Sequence, residues 1–192
     1  MYKGAPVILA SQSPRRKQLL EQAGIPFQVK VVATAETFPP DMAIDEIPVY
    51  IALQKAAAVI AQCAPNDIVI AADTVVVLDN TIIGKPQDRE DAIRILSALS
   101  GREHRVITGV VMQRNGKEIT FSKTTAVHFK PLTPEQISYY VDNYKPYDKA
   151  GAYAIQEWIG AVGIDSINGC FYNVMGLPVS VVVQKLDQDF SD

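Results

Sequence analysis

The chain has 192 residues, 48% hydrophobic and 20% charged, with a formal net charge of -3. That balance suits a globular protein with a substantial core and argues against a nucleic-acid polymer as the main partner, since polymer binding needs an extended basic surface. Cys63 and Cys170 lie far apart and, with His104 and His128, make no zinc site at the usual spacings, so both cysteines read as reduced core residues. The apolar run at residues 5–10 is short for a signal peptide, and no run reaches the length of a membrane span, so a cytoplasmic location with no membrane partner is expected.

In chain order, residues 7–10 read as the end of a buried strand. Ser13 and Pro14 suit the N-cap and first position of a helix over residues 15–23, which places Leu19, Leu20 and Ala23 on one face and stops at Gly24. Residues 27–33 read as a second strand, followed by an irregular stretch over residues 34–40 and an alanine-rich helix from about residue 47 to 63. The nearly unbroken apolar run at residues 68–78 predicts a strand buried on both faces, ending at an Asp79-Asn80 turn. A helix over residues 88–99 begins with acids and is followed by Gly101. Residues 105–113 and 118–129 flank Asn115-Gly116 as a hairpin, and Thr133 to Gln136 form a capping box that opens a helix to about residue 143. Residues 148–156 read as a turn entering an alternating strand. A second hairpin is predicted from residues 159–167 and 170–174 around Asn168-Gly169, and a last helix over residues 179–186. The expected fold is α/β with a mixed, twisted sheet and flanking helices, because the two hairpins interrupt the crossover pattern.

Three places in this scheme carry chemistry. A strand that runs straight into a helix start aims unpaired N–H groups and the positive dipole end at one point, where Ser11, Ser13, Arg15 and Arg16 gather: a device for holding an anion such as a phosphate chain. Asp73 interrupts the most apolar strand, where a carboxylate is costly unless it meets a cation, a metal or a proton. It is a salt-bridged core acid, a strand-end cap, or a group that holds a divalent metal, takes a proton from water, or does both. Lys85, in Gly84-Lys85-Pro86, could reach a phosphate or sit in an ordinary exposed loop, and Lys55 could be a solvated helix lysine. The carboxamide of Gln156 could read a base edge or simply end a strand.

Taken together, Ser11-Gln12-Ser13-Pro14-Arg15-Arg16, Ala72-Asp73-Thr74-Val75-Val76, Gly84-Lys85-Pro86, Asp148-Lys149-Ala150-Gly151-Ala152-Tyr153 and Gly176-Leu177-Pro178 resemble the Maf family in order and spacing, from about residue 7 to 186. The resemblance implies one domain over residues 1–192, without a separable linker: two lobes around a cleft, in a fold similar to the inosine triphosphate pyrophosphatases. It also implies hydrolysis of nucleoside triphosphates to the monophosphate and pyrophosphate with Mg²⁺ or Mn²⁺. The segment Ala152-Tyr153-Ala154-Ile155-Gln156 resembles the branch acting on dTTP and UTP. By position, Asp73 corresponds to the catalytic acid and Glu36 to a polar position of the cleft, and the two are expected to hold the metal. Arg15, Thr74 and Gln156 correspond to positions linked to substrate choice, and Ser11, Ser13, Arg16, Lys55 and Lys85 to phosphate- and substrate-binding positions. Glu157-Trp158 follows Gln156 where the family often has glycine, a departure at the mouth of the base pocket.

The expected partner is a small nucleotide, with a homodimer as a further expectation. The alternatives are a nucleotide-binding regulator of septum formation with incidental hydrolysis, a pyrophosphatase of another preference such as 7-methyl-GTP, and a nucleotidyltransferase, which would need an acceptor.

Overall fold

The computed structural model describes residues 4–190. The elements run β1 (Val7–Leu9), α1 (Pro14–Gln22), β2 (Phe27–Val29), α2 (Ile47–Ile60), β3 (Ile68–Leu78), β4 (Thr81–Ile83), α3 (Arg89–Leu99), β5 (Glu103–Arg114), β6 (Lys117–Phe129), α4 (Pro134–Tyr144), a 3-10 turn at Ala150–Ala152, α5 (Trp158–Gly163), β7 (Ile164–Asn168), α6 (Phe171–Val174) and α7 (Val179–Asp189). The strands form one seven-stranded mixed sheet in the order β2-β1-β3-β5-β6-β7, with β4 paired to β3. The mixed α/β class read from the sequence is therefore the observed one. Among the described residues, no helix is long and apolar enough to cross a membrane.

Most local signals hold, and the misses have physical causes. Proline at the first position of α1, Ser13 as its cap, the capping box of α4 and the Asn115-Gly116 turn with both residues at positive φ all match. The second strand is shorter than predicted because its parallel partner β1 supplies only three paired residues, Val7 to Leu9, against Phe27 to Val29. Helix α2 stops at Ile60 because the Gln62 and Cys63 N–H groups bond carbonyls three residues back, tightening the last turn. Asp79 and Asn80, both at positive φ, make a hairpin turn into β4, a strand the sequence did not announce.

Two predicted elements are wrong. The alternating strand at residues 153–156 is absent: Tyr153, Ala154 and Ile155 are buried in succession, and the Glu157 N–H closes a turn on the Ala154 carbonyl at 3.1 Å. The hairpin around Asn168-Gly169 is also absent, since α5 precedes β7 and α6 follows it. Gly169 is not a hairpin-turn glycine. At φ +134 its backbone lies against β6, and an added Cβ would meet Thr125 Oγ1 at 2.7 Å. Thr125 Oγ1 in turn accepts the Cys170 N–H at 3.0 Å and an N–H of the buried Asn173 amide at 3.0 Å, which holds residues 170–173 off the sheet.

The chain divides into two compact units. The first comprises Met1–Asp73, Thr108–Lys123 and Gly176–Asp192. In its core, Ala52 and Ala56 of α2 pack with Ile8, Val69, Ala71 and Val111, so the alanine-rich face of that helix lets its backbone come close to the strands. Cys63 packs partly buried against this cluster. The second unit comprises Thr74–Ile107 and Thr124–Met175, with a core of Val76, Val106 and Val127 flanked by Ile83, Ile164, Ile167 and Val174. Here α3 and α4 are clasped at the surface by a bidentate pair, Arg89 to Asp142, at 2.6 and 2.8 Å. Both cysteines are free and half-buried.

Candidate functional site

In the first unit, β1 hands the chain directly to the start of α1. The Ala10 N–H still bonds the Ile70 carbonyl of β3 at 2.8 Å, so the sheet fixes where the loop begins. The buried Ser11 Oγ accepts the Ser13 N–H at 3.2 Å, and Ser13 Oγ accepts the Arg16 N–H at 3.4 Å. The helix start is thereby organised by two hydroxyls, as the sequence implied.

Arg16 departs from that reading in one respect. Its guanidinium is buried, with Nη1 donating to Ser11 Oγ at 3.2 Å and Nε donating to the Gly176 carbonyl at 2.7 Å. Burial pulls the Arg16 pKa below its usual value, the nearby Asp73 opposes that shift, and Arg15 adds to it. Arg16 thus ties the Gly176-Leu177-Pro178 segment to the start of α1, a structural task the sequence did not reveal because 160 residues separate the partners. Arg15 is half-buried on the same turn.

Lys55, on α2, reaches Asp73. Its Nζ lies 2.7 Å from Asp73 Oδ1 and 2.9 Å from Glu36 Oε1. The side chains of Lys55 and Asp73 are only 16% and 14% exposed, so the lysine is no solvated helix residue, and the strand carboxylate has the cation its burial demands. Glu36 reaches the pair from the irregular stretch, where its φ of 50 turns the chain. Six residues named from the sequence therefore assemble in the first unit: Ser11, Ser13, Arg16, Glu36, Lys55 and Asp73. Arg16 lies within electrostatic reach of Asp73, Glu36 and Arg15.

Thr74, the next residue of β3, begins the second unit and is half-buried. Lys85 is exposed in the loop after β4. The Gly151 N–H bonds the Gly84 carbonyl at 3.1 Å, which joins the Gly-Lys-Pro loop to the Asp-Lys-Ala-Gly segment. Gln156 is exposed on the turn closed by Ala154 and Glu157. A buried network beside it escaped the sequence reading: Tyr140, Lys149 and Glu157 meet around that turn. Lys149 stood within a quoted motif, but its link to Tyr140 through Glu157 leaves no local signal. A second buried group, His104, pairs Nε2 with the Tyr153 hydroxyl at 2.7 Å and stacks on Phe129. Burial pushes the His104 pKa down to about 4 and raises that of the Tyr153 phenol.

The site is thus two carboxylates gathered on one ammonium, with a serine-capped helix start and a buried arginine, in a mixed α/β protein. The Maf-like protein family matches residues 6–189, and this chain belongs to it. It is 48% identical over 181 residues to a dTTP/UTP pyrophosphatase of Phocaeicola vulgatus, covering 94% of both chains. It is 50% identical over 185 residues to a dTTP/UTP pyrophosphatase of Cytophaga hutchinsonii, covering 96% of this chain and 84% of that one. Among solved structures, the Staphylococcus aureus Ham1 protein is similar over 65% of this chain and 71% of its own, at 16% identity and a TM-score of 0.44.

Proposed function

We propose that this chain is a nucleoside triphosphate pyrophosphatase that converts dTTP and UTP to the monophosphate and pyrophosphate. Family membership and the names of its relatives support the reaction, and the Glu36–Lys55–Asp73 cluster is the observation that carries it to particular residues. In this reading the triphosphate lies against the start of α1, where Ser11, Ser13, Arg15, Arg16 and Lys55 supply hydrogen bonds and positive charge. Lys85 is assigned to phosphate, Gln156 to the base, and Arg15 and Thr74 to substrate choice. The expected setting is the cytoplasm, with a free nucleotide as ligand and a homodimer as the assembly.

Asp73 and Glu36 fit a divalent cation: both present hard oxygen donors that converge on one positive charge, and Mg²⁺ sites commonly combine one or two carboxylates with substrate phosphates. Bound there, Mg²⁺ or Mn²⁺ would offset charge developing on the phosphoryl oxygens. Asp73 accepts a proton from the attacking water. The water oxygen bonds to the α-phosphorus, the bridging P–O bond to the β-phosphate breaks, and pyrophosphate departs with that electron pair. Lys55 takes Asp73 Oδ1 and so orients the carboxylate, while the helix-start cations hold the leaving phosphates.

The test is pyrophosphate release from dTTP, UTP, ATP and GTP by wild type and by Asp73→Asn. The wild type should turn over the pyrimidine nucleotides well above the purines. Asp73→Asn should lose about 10²–10⁴-fold in kcat while its melting curve stays close to that of wild type, because Asn keeps the shape and removes the base. Nucleotide binding without turnover in the wild type would favour the regulator.

A further inference from the structure

The turn that presents Gln156 is held at both ends by one side chain. The phenol of Tyr140, fully buried on α4, accepts the Ala154 N–H at 3.1 Å and donates its own proton to Glu157 Oε2. Glu157 Oε1 lies 3.6 Å from Nζ of Lys149, a buried lysine that also contacts Asp148 at 2.8 Å. The Glu157 carbonyl then accepts the Gly160 N–H at 3.0 Å, carrying the chain into α5. That helix sits so close that a Cβ at Gly160 would overlap the Ile155 carbonyl at 1.7 Å. Residues 151–155 are all buried, and Gln156 is the point where this anchored run reaches the surface. The ring of Tyr139 lies 4.9 Å from that of Trp158, a second contact between α4 and the start of α5.

We propose that Glu157 is a positioning residue for base selection: with Tyr140 and Lys149, it fixes the turn from which Gln156 meets the base. The proposal rests on the assignment of Gln156 to the base. A carboxamide that must answer a neighbouring donor and acceptor discriminates only if its direction is set within about 10–20°. The sequence Lys149 ammonium, Glu157 carboxylate, Tyr140 hydroxyl and Ala154 amide supplies that constraint. The Tyr140 hydroxyl joins the Glu157 carboxylate to the Ala154 amide, Lys149 pairs with the same carboxylate, and Tyr140 and Lys149 are both buried. Without the Glu157 carboxylate the turn would lose this constraint, so here base preference depends on residues that need not touch the nucleotide.

The test measures kcat/KM on dTTP, UTP, ATP and GTP for wild type, Glu157→Ala, Glu157→Gln, Tyr140→Phe, Gln156→Ala and the double variant Gln156→Ala/Glu157→Ala. Glu157→Ala should lower the pyrimidine-to-purine ratio by about tenfold, chiefly through KM for the pyrimidines. Tyr140→Phe, which keeps the ring and loses the hydroxyl, should move the ratio the same way. Glu157→Gln, which still offers Tyr140 an acceptor, should retain most of it. Once Gln156 is alanine, removing Glu157 should change the ratio no further, since the two act through one contact. A general loss of structure would instead lower all four nucleotides together and multiply with the Gln156 effect. Circular dichroism of each variant identifies any that does not fold, and Tyr140→Phe and Glu157→Gln then decide. A ratio kept within about twofold in Glu157→Ala and Tyr140→Phe, or a Glu157 effect undiminished without Gln156, overturns the proposal. A wild type indifferent to the base overturns the Gln156 assignment itself, a failure visible before any substitution is made.

Discussion

Single residues here are defined by what burial forces on them. Asp73 is tolerable inside an apolar strand because Lys55 meets its charge, whereas His104 stays neutral because nothing does. Its Nδ1 is buried and has no hydrogen-bond partner among the described residues, while Nε2 is committed to Tyr153. The folded pKa of about 4 lies below the unfolded value of 6.5, so in this window the unfolded chain binds more protons than the folded one. Stability from this source is complete above the unfolded value and is lost as the pH falls toward the folded one. Between about pH 7.5 and about pH 5, the loss should be of order 2 kcal/mol. Urea titrations at both pH values should show a smaller difference in His104→Phe than in wild type. An unchanged difference would place the acid sensitivity elsewhere.

At the scale of elements, helix starts and turns were legible because their signals are local. Ser13-Pro14, Asp88, the Thr133 capping box and Asn115-Gly116 each act within four residues, so neighbouring residues alone dictate the backbone. The segment from Tyr153 to Val174 broke the same rules, because its conformation answers to β6 and α4. Gly169 is there to let the chain pass Thr125, and Asn173 Nδ2 anchors α6 by donating to the Val106 carbonyl at 3.1 Å. Gly169→Ala should therefore destabilise the protein by about 1–3 kcal/mol, through positive-φ strain and the collision with Thr125. Gly116→Ala also meets the positive-φ penalty but no neighbouring atom within 4 Å, and it should cost less. Thermal melts of the two variants compare these terms, and equal costs would remove the close approach from the account of Gly169.

For the whole molecule, the notable point is how few metal-binding side chains the candidate site gathers. Among the described residues, no three of His, Cys, Asp or Glu cluster as a metal site, and the two carboxylates present already serve Lys55. Metal affinity should accordingly depend on phosphate oxygens brought by the nucleotide. Chelation should abolish pyrophosphate release and Mg²⁺ or Mn²⁺ should restore it, while chelation of the nucleotide-free protein should move its melting temperature by less than about 2 °C. Adding metal and a slowly hydrolysed nucleotide together should raise it by several degrees, as mass action requires for a ligand bound only by the folded state. A large melting shift on chelation alone would point to a structural metal.

The sequence alone determined the alternation of strands and helices, the mixed sheet and the order of motifs that marks the family, because periodicity, caps and turn pairs are written in adjacent residues. It also named the six residues that assemble in the first unit. Only the tertiary structure decided how they are held: Lys55 paired with both Asp73 and Glu36, and Arg16 turned to the Gly176 carbonyl. Tertiary structure alone likewise replaced a predicted strand with the anchored turn of Gln156 and a predicted hairpin with α5, β7 and α6. The reason is the same in each case. A buried charge or phenol must find its partner wherever the fold brings one, and partners 14 to 160 residues apart leave no pattern in the stretch of chain around either of them.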